Sequence, residues 1–206
     1  GIRANAENLF MPMSSSQREH IVNNILDANR KMDLLVNRLL NLSRIERRDQ
    51  LENIEDINVK DLIDEILKAN IRRGRITARS ININFDIERQ FTIKAERLLA
   101  EQALINIIDN AIDFTPKNST INIKVNESNT HVNILVQDQG KGIPEHATKQ
   151  IFRRFYSSAR PDSGKRGNGL GLRFVKKIMN LHNGQVSLKN RFMEKGAVAS
   201  LSFPVK

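Results

Sequence analysis

Apolar residues recur at Ile21, Ile25, Ala28, Met32, Leu35, Leu39 and Leu42, in steps of 4, 3, 4, 3, 4 and 3. This spacing constrains the fold more than any other feature of the chain. Only a helix gathers such residues onto one stripe, and a stripe this long needs something to pack against. The pattern predicts one helix over about residues 15–48. Ahead of it, Met11-Pro12-Met13-Ser14 reads as a turn, because proline interrupts a helix. Residues 2–10 read as the end of an earlier helix. The two form an antiparallel hairpin with one side uncovered, which a second copy completes as a four-helix bundle. Packing against the chain's own second domain is the plainer alternative.

The period changes near residue 50. Arg47 to Asp56 is charged and irregular, which suggests a linker at 49–57 between a hairpin of 1–48 and a domain of 58–206. Asn58 is placed to cap a helix running to about Ile71. Ile81, Ile83 and Phe85 alternate with polar residues, as in a half-buried strand. Glu96 to Phe114 is amphipathic with helical spacing. Ile121, Ile123 and Val125, then Val132, Ile134 and Val136, alternate as two strands joined around Ser128-Asn129-Thr130. A loop region follows from Asp138 to Gly167, then a helix over about 169–181. Strands near Gln185–Lys189 and Val198–Phe203 end the chain. Helices interleaved with strands in this order predict an α+β fold, a two-layer α/β sandwich with helices on one face of a mixed sheet.

Composition narrows the functions available. No apolar run approaches the roughly 18 residues of a membrane span. Cysteine is absent, which excludes disulfide scaffolds, thiol catalysis and cysteine-based zinc sites, and four scattered histidines leave little for a histidine-built metal site. The net charge of +10 points to an anionic partner. Between Arg153 and Lys177 stand eight basic residues and one acid, Asp162, in a stretch rich in Gly and Ser. A basic flexible loop suits phosphates held locally better than a long duplex. Its three aromatics, Phe155, Tyr156 and Phe174, make a thin stacking platform for nucleic acid.

Three clusters carry candidate chemistry. Asn106 and Asn110 are four apart on one predicted helix and share a face. An amide oxygen suits Mg²⁺, which prefers oxygen donors alongside phosphate and water. Asp138-Gln139-Gly140-Lys141-Gly142 follows a strand directly. Its carboxylate can accept from an exocyclic amine such as adenine's, and its glycines let backbone approach a ligand closely. Gly167-Asn168-Gly169-Leu170-Gly171-Leu172 opens a helix, where N–H groups and the helix dipole hold phosphates. Its G-x-G-x-G spacing is neither the dinucleotide G-x-G-x-x-G nor a P-loop. Each cluster alone has a plain reading: polar residues on a helix, an acidic turn, a hinge.

Taken together, in this order, they resemble the ATP-binding domain of two-component sensor histidine kinases, within the wider group that includes the gyrase, Hsp90 and MutL ATPases. Asn106 to Pro116 looks like the N box, Asp138 to Gly142 the first glycine box, and Gly167 to Leu172 the second. Ile151-Phe152-Arg153-Arg154-Phe155-Tyr156 looks like the phenylalanine box between them. Asn-Ala-Ile-Asp-Phe-Thr-Pro, Arg-Phe-Tyr-Ser and Gly-Leu-Gly-Leu-x-Phe-Val together resemble the CreC-type branch.

The resemblance implies a Bergerat-type fold and a protein-histidine kinase using ATP and Mg²⁺. It implies that Asn110 binds Mg²⁺, that Asn106 lies near the γ-phosphate, and that Asp138 accepts from the adenine amine with Phe114 beside the ring. It implies nucleotide contacts from Gly140, Gly142, Ile143, Phe155, Tyr156, Arg166, Gly167, Asn168, Gly169, Leu170, Gly171, Leu172 and Arg173, and a mobile lid over 156–168. It further implies a homodimer through the hairpin, a response-regulator receiver domain as partner, no nucleic acid, and the cytoplasmic side of a bacterial inner-membrane sensor anchored by upstream segments.

Two departures stand against that pattern. Asp113 occupies a place where many relatives carry Lys, so that Arg173, Lys165 or Arg166 supplies the positive charge, or Asp113 faces solvent. Ile2, Glu7 and Leu9 match the tail of the phosphoacceptor box, which places the acceptor His upstream and leaves this piece unable to phosphorylate itself. His20, His131, His146 and His182 lack the acceptor context. An ATPase clamp of the gyrase or MutL kind is the first alternative. The heptad hairpin argues against it, as does Asn106 where many such ATPases place a catalytic Glu. A nonenzymatic basic module for nucleic acid is the second; it explains the charge but neither the Asp138 nor the glycine clusters.

Overall fold

The helix that the heptad spacing predicts starts with a reciprocal cap. The Gln17 N–H donates to Ser14 Oγ at 3.2 Å, and the Ser14 N–H donates to Gln17 Oε1 at 2.9 Å. From there helix α1 runs over Ser15–Glu46 in a computed structural model of the chain. The structure describes residues 3, 7, 13–85, 87, 89–159, 164 and 167–205, with Lys31 by its backbone alone. Arg3 and Glu7 are helical, and the rest of the expected first helix lies outside the described residues. The chain divides into two compact units, 1–44 and 45–206. In the first unit Ile21, Ile25 and Ala28 are half-buried, whereas Met32, Leu35 and Leu39 of the same stripe are exposed.

The second unit holds strand β1 (Ile54–Asn58), α2 (Val59–Arg72), a 3₁₀ turn (Thr77–Arg79), β2 (Asn82–Phe85), β3 (Thr92–Glu96) and α3 (Arg97–Phe114). After these come β4 (Thr120–Glu127), β5 (His131–Gln137), α4 (Glu145–Thr148), α5 (Gly171–Leu181), β6 (Gln185–Asn190) and β7 (Ala197–Pro204). Five strands form a mixed sheet in the order β2-β4-β5-β7-β6. β2 runs parallel to β4 and the other pairs are antiparallel. Alternation decides which face is covered. Ile121, Ile123, Val132, Ile134, Val136, Leu201 and Phe203 are buried against the helices, while Asn122, Lys124 and Asn133 point the other way. α2, α3 and α5 fill the helical layer with Leu62, Ile63, Ile66, Leu104, Ile107, Ile108, Val175 and Ile178. Each such side chain contributes about 1.5–3 kcal/mol by leaving water.

The ends of the helices follow local rules. Asn58 caps α2, its Oδ1 accepting from the N–H groups of Lys60 and Asp61. Pro116 disfavours helical geometry at the residue before it, and Thr115 is extended at φ −69°, ψ 133°, so α3 stops at Phe114.

Three features differ from the sequence reading. Ile54–Asn58, read as the end of an irregular segment, pairs with Thr92–Glu96 as an antiparallel ribbon. Within β1 only Ile57 is buried, and Ile54 and Ile57, three apart with acids between them, carried no alternation to detect. The stretch read as continuous loop contains the short helix α4, which buries Ala147 alone. α5 begins at Gly171, not near 169.

An ion-pair network ties the segment after α1 into this second unit. Arg48 forms a two-pronged pair with Glu96 at 3.0 and 2.7 Å, and Glu96 also accepts the Glu52 N–H. The Glu96 N–H donates to His182 Nε2 at 3.1 Å, while His182 Nδ1 donates to the Ile178 carbonyl at 2.8 Å. The pair with Arg48 holds the Glu96 carboxyl below its ordinary range, and burial lowers His182. Lys177 Nζ donates to the Arg48 carbonyl at 3.0 Å, and Glu46 accepts from both Arg154 and Arg173.

Candidate functional site

The three motif clusters converge on the C-terminal half of α3. Asn106 and Asn110 lie one turn apart on its half-buried face. Asn106 Nδ2 donates back to the Gln102 carbonyl at 2.8 Å. That leaves its Oδ1 turned toward the first residue of α5, where a Cβ on Gly171 would stand only 2.7 Å from it. A side chain at 171 would have to displace the Asn106 amide. Among the described residues no side chain caps the start of α5. Its first-turn N–H groups, on Gly171, Leu172 and Arg173, therefore remain available to an anion beside Asn106. Asn168 Oδ1 accepts the Leu170 N–H at 3.3 Å, and Leu170 is buried as an anchor under the turn. Asn110 makes no hydrogen bond among the described residues, so its amide is uncommitted.

The Asp138 loop meets the other end of the same helix face. A Cβ on Gly140 would lie 2.7 Å from the Phe114 carbonyl. Residues 106 and 114 are eight apart, or about 12 Å along the helix axis. The Asp138 loop and the start of α5 therefore meet α3 at points about that far apart along its axis.

Asp138 is 8% exposed. Its Oδ1 accepts the N–H groups of Gly140 at 2.7 Å and Ala197 at 3.2 Å. Burial pushes the carboxyl above its usual range, and those N–H groups and the charge of Arg191 pull it back. The second oxygen has no protein partner among the described residues and is left for a donor from outside.

Sequence reasoning missed what braces this loop. Asn190, at the end of β6, clamps Ile143 beside Gly142. Its Oδ1 accepts the Ile143 N–H at 2.6 Å and its Nδ2 donates to the Ile143 carbonyl at 2.9 Å. Arg191 Nη1 donates to the Asp138 carbonyl at 3.4 Å. Gly196, at φ 111°, presses so closely on that carbonyl that a Cβ there would collide with it. The signal was a glycine closing a polar hairpin loop, which many hairpins show.

The phenylalanine-box segment joins the second glycine segment through backbone. The Phe155 N–H donates to the Gly169 carbonyl at 2.9 Å, and a Cβ on Gly169 would stand 2.6 Å from Tyr156 N. Phe155 is exposed and Tyr156 half-buried. Gly167 is exposed, and Leu172 and Arg173 are half-buried. Within the expected lid, residues 160–163 together with Lys165 and Arg166 lie outside the described residues.

Asp113 does not face solvent as an unpaired acid. It pairs with Arg75 at 2.9 Å, and the same guanidinium pairs with Asp109. Arg173 Nε donates to Glu46 at 3.1 Å and is not directed at Asp113. His182 is buried in the network described above.

Residues 95–206 match the family described as histidine kinase-, DNA gyrase B-, and HSP90-like ATPase. The chain belongs to that family. Within it, the relatives are sensor histidine kinases. Sensor protein CreC of Escherichia coli strain K12 is 38% identical over 86% of this chain and 36% of its own length. Sensor histidine kinase SpaK of Bacillus subtilis is 29% identical over 100% of this chain and 44% of its own. The chain thus spans less than half the length of these relatives. Among solved structures, the catalytic domain of histidine kinase ThkA superposes with a TM-score of 0.65 at 29% identity. It covers 74% of this chain and 98% of that one. A complex of ThkA with its response regulator TrrA gives a TM-score of 0.78 at 24% identity, over 100% of this chain and 57% of that one. No helix among the described residues is long and apolar enough to cross a membrane.

Proposed function

We propose that this chain is the ATP-binding catalytic portion of a two-component sensor histidine kinase. One observation carries the reading: the loop of the half-free Asp138 carboxylate and the start of α5, uncapped among the described residues, meet α3 at points about 12 Å apart along its axis. That spacing suits a nucleotide lying along the helix, adenine amine at Asp138 and phosphates at Gly171 to Arg173. Phe114 lies at the adenine end, and Asn106 and Asn110 toward the phosphates. The residues present fit ATP, because among the described residues one Asp138 oxygen and the first-turn N–H groups of α5 keep no protein partner.

They also fit a magnesium ion carried in by the phosphates. Among the described residues no group of three or more His, Cys, Asp or Glu could hold a metal by itself. The uncommitted amide of Asn110 is the kind of single oxygen ligand that such an ion takes beside phosphate and water. Bound there, Mg²⁺ would neutralise phosphate charge; the chain's own part is positioning, by the Asp138 loop, Asn106 and the α5 N–H groups.

The transfer itself breaks the bond between the γ-phosphorus and its bridging oxygen. It forms a bond to an imidazole nitrogen of a histidine on the dimerisation helices, and ADP departs. The phosphoryl group then passes to an aspartate of a response-regulator receiver domain. The exposed stripe at Met32, Leu35 and Leu39 supports a homodimer through α1. The kinship with bacterial sensors supports a site of action on the cytoplasmic side of the inner membrane.

Calorimetric titration with Mg-ADP and Mg-ATP, with Asp138→Ala alongside, tests this reading. Binding by the parent and its loss in the variant are expected; a folded parent that binds neither nucleotide sinks the proposal.

A further inference from the structure

We propose that Arg75 is a positioning residue for the triphosphate, holding two carboxylates of α3 back from the phosphates. This rests on the ATP reading above.

Asp109 and Asp113 lie on either side of Asn110 along α3, so any anion drawn to the Asn110 amide meets two negative charges. Their side chains are 28% and 18% exposed, so water screens them only in part. Arg75 stands on the turn that follows α2, 38 residues before Asp113 in the chain. Its guanidinium divides between the two acids: Nη1 pairs with Asp109, and Nη2 donates to Asp113 at 2.9 Å. A planar fork with five donors matches two acceptors one helical turn apart in a way an ammonium does not.

The arginine is itself aimed. Nη1 also donates to Asn70 Oδ1 at 3.3 Å, and Asn70 is 1% exposed and donates to the Ile66 carbonyl. A buried amide on α2 thus orients a cation onto the acidic stretch of α3. A partly exposed ion pair adds little to folding. The larger effect is on the local field: the guanidinium keeps both carboxylates turned aside and offsets their charge where a polyphosphate has to sit.

Calorimetry with ATP, ADP and adenosine, in Mg²⁺, on the wild type, Arg75→Gln, Asp113→Asn and the double variant tests this. Arg75→Gln should weaken ATP about tenfold, ADP less, and adenosine not at all. Adding Asp113→Asn should restore most of the ATP affinity. Asp113→Asn alone should bind ATP at least as tightly as the wild type, with a steeper dependence on salt. Equal loss for ATP and adenosine in Arg75→Gln, or no recovery in the double variant, shows that Arg75 only braces the fold and overturns the proposal. Should Arg75→Gln fail to fold, Asp113→Asn decides: weaker ATP binding there overturns it as well. A wild type that binds adenosine but not ATP overturns the proposal directly. A wild type that binds none of the three removes the nucleotide reading on which it stands.

Discussion

At the scale of single residues, Asp138 shows how a site works against its own fold. A carboxyl whose folded value lies above its unfolded one binds protons more readily in the native state. Its burial therefore costs stability at neutral pH, and that cost fades as the pH falls. Asn at this position keeps an oxygen for the Gly140 and Ala197 N–H groups. Asp138→Asn should match or exceed the wild type in melting temperature while losing at least about tenfold in ADP affinity. A thermal melt and a titration on the same sample check both halves. In the wild type, ADP affinity should itself fall as acid protonates Asp138. Gly196→Ala should act in the opposite way, because its Cβ has no room against the Asp138 carbonyl and its φ is positive. It should lose about 2 kcal/mol or more of stability together with nucleotide binding, read by denaturant titration.

Asp138, Asn106 and Asn110 stood out in the sequence as candidates because chemistry-bearing residues stood at telling spacings. Asn190, Gly196 and Arg75 did not, since each acts through a contact 38 or more residues away and has no pattern of its own.

Among the elements, the period of apolar residues was a reliable guide wherever an element buries several of them. α1, α2, α3, β4, β5 and β7 lie where alternation or helical spacing put them. β1 and β3 were hidden because they pair with each other as a two-stranded ribbon, partly through charged residues such as Asp56 and Lys94.

That ribbon leads from Glu96 into the Arg48–Glu96–His182 network, which should give the second unit a two-stage acid response. His182 titrates below its ordinary 6.5 in the fold, so stability declines as the pH drops from there toward its folded value. Glu96 titrates below its ordinary 4.5, so its contribution, full above that point, is lost as the pH falls through its lowered folded value. His182→Gln should remove the first stage and leave the second. Urea midpoints taken from pH 7.5 to pH 3.5 would expose both, and an unchanged upper stage in the variant would refute the assignment. Arg48→Met leaves Glu96 without its cation and should cost about 2–4 kcal/mol, more than Glu96→Gln, which removes the charge.

On the scale of the whole molecule, the fold class was legible because helices and strands alternate in an order that permits few layered arrangements. The stripe on α1 raised the question of a partner, and Met32, Leu35 and Leu39 remain exposed on a single chain. Leu35→Glu with Leu39→Glu should lower self-association in sedimentation experiments without changing ADP affinity, because the groups proposed to hold the nucleotide belong to the second unit. Saturating Mg-ADP at about a hundred times its dissociation constant should raise the melting temperature of that unit by about 5–10 °C.

Glu46 carries one more implication. The arginines on either side of the second glycine segment, Arg154 before it and Arg173 after it, share that one carboxylate. Each phosphate that recruits either of them takes a partner from Glu46, and the backbone just beyond loosens or tightens accordingly. On the proposed reading the stretch 45–52 acts as a built-in gauge. Its amide protons should trade for deuterium at a rate set by what occupies the phosphate end, which it meets through Arg173.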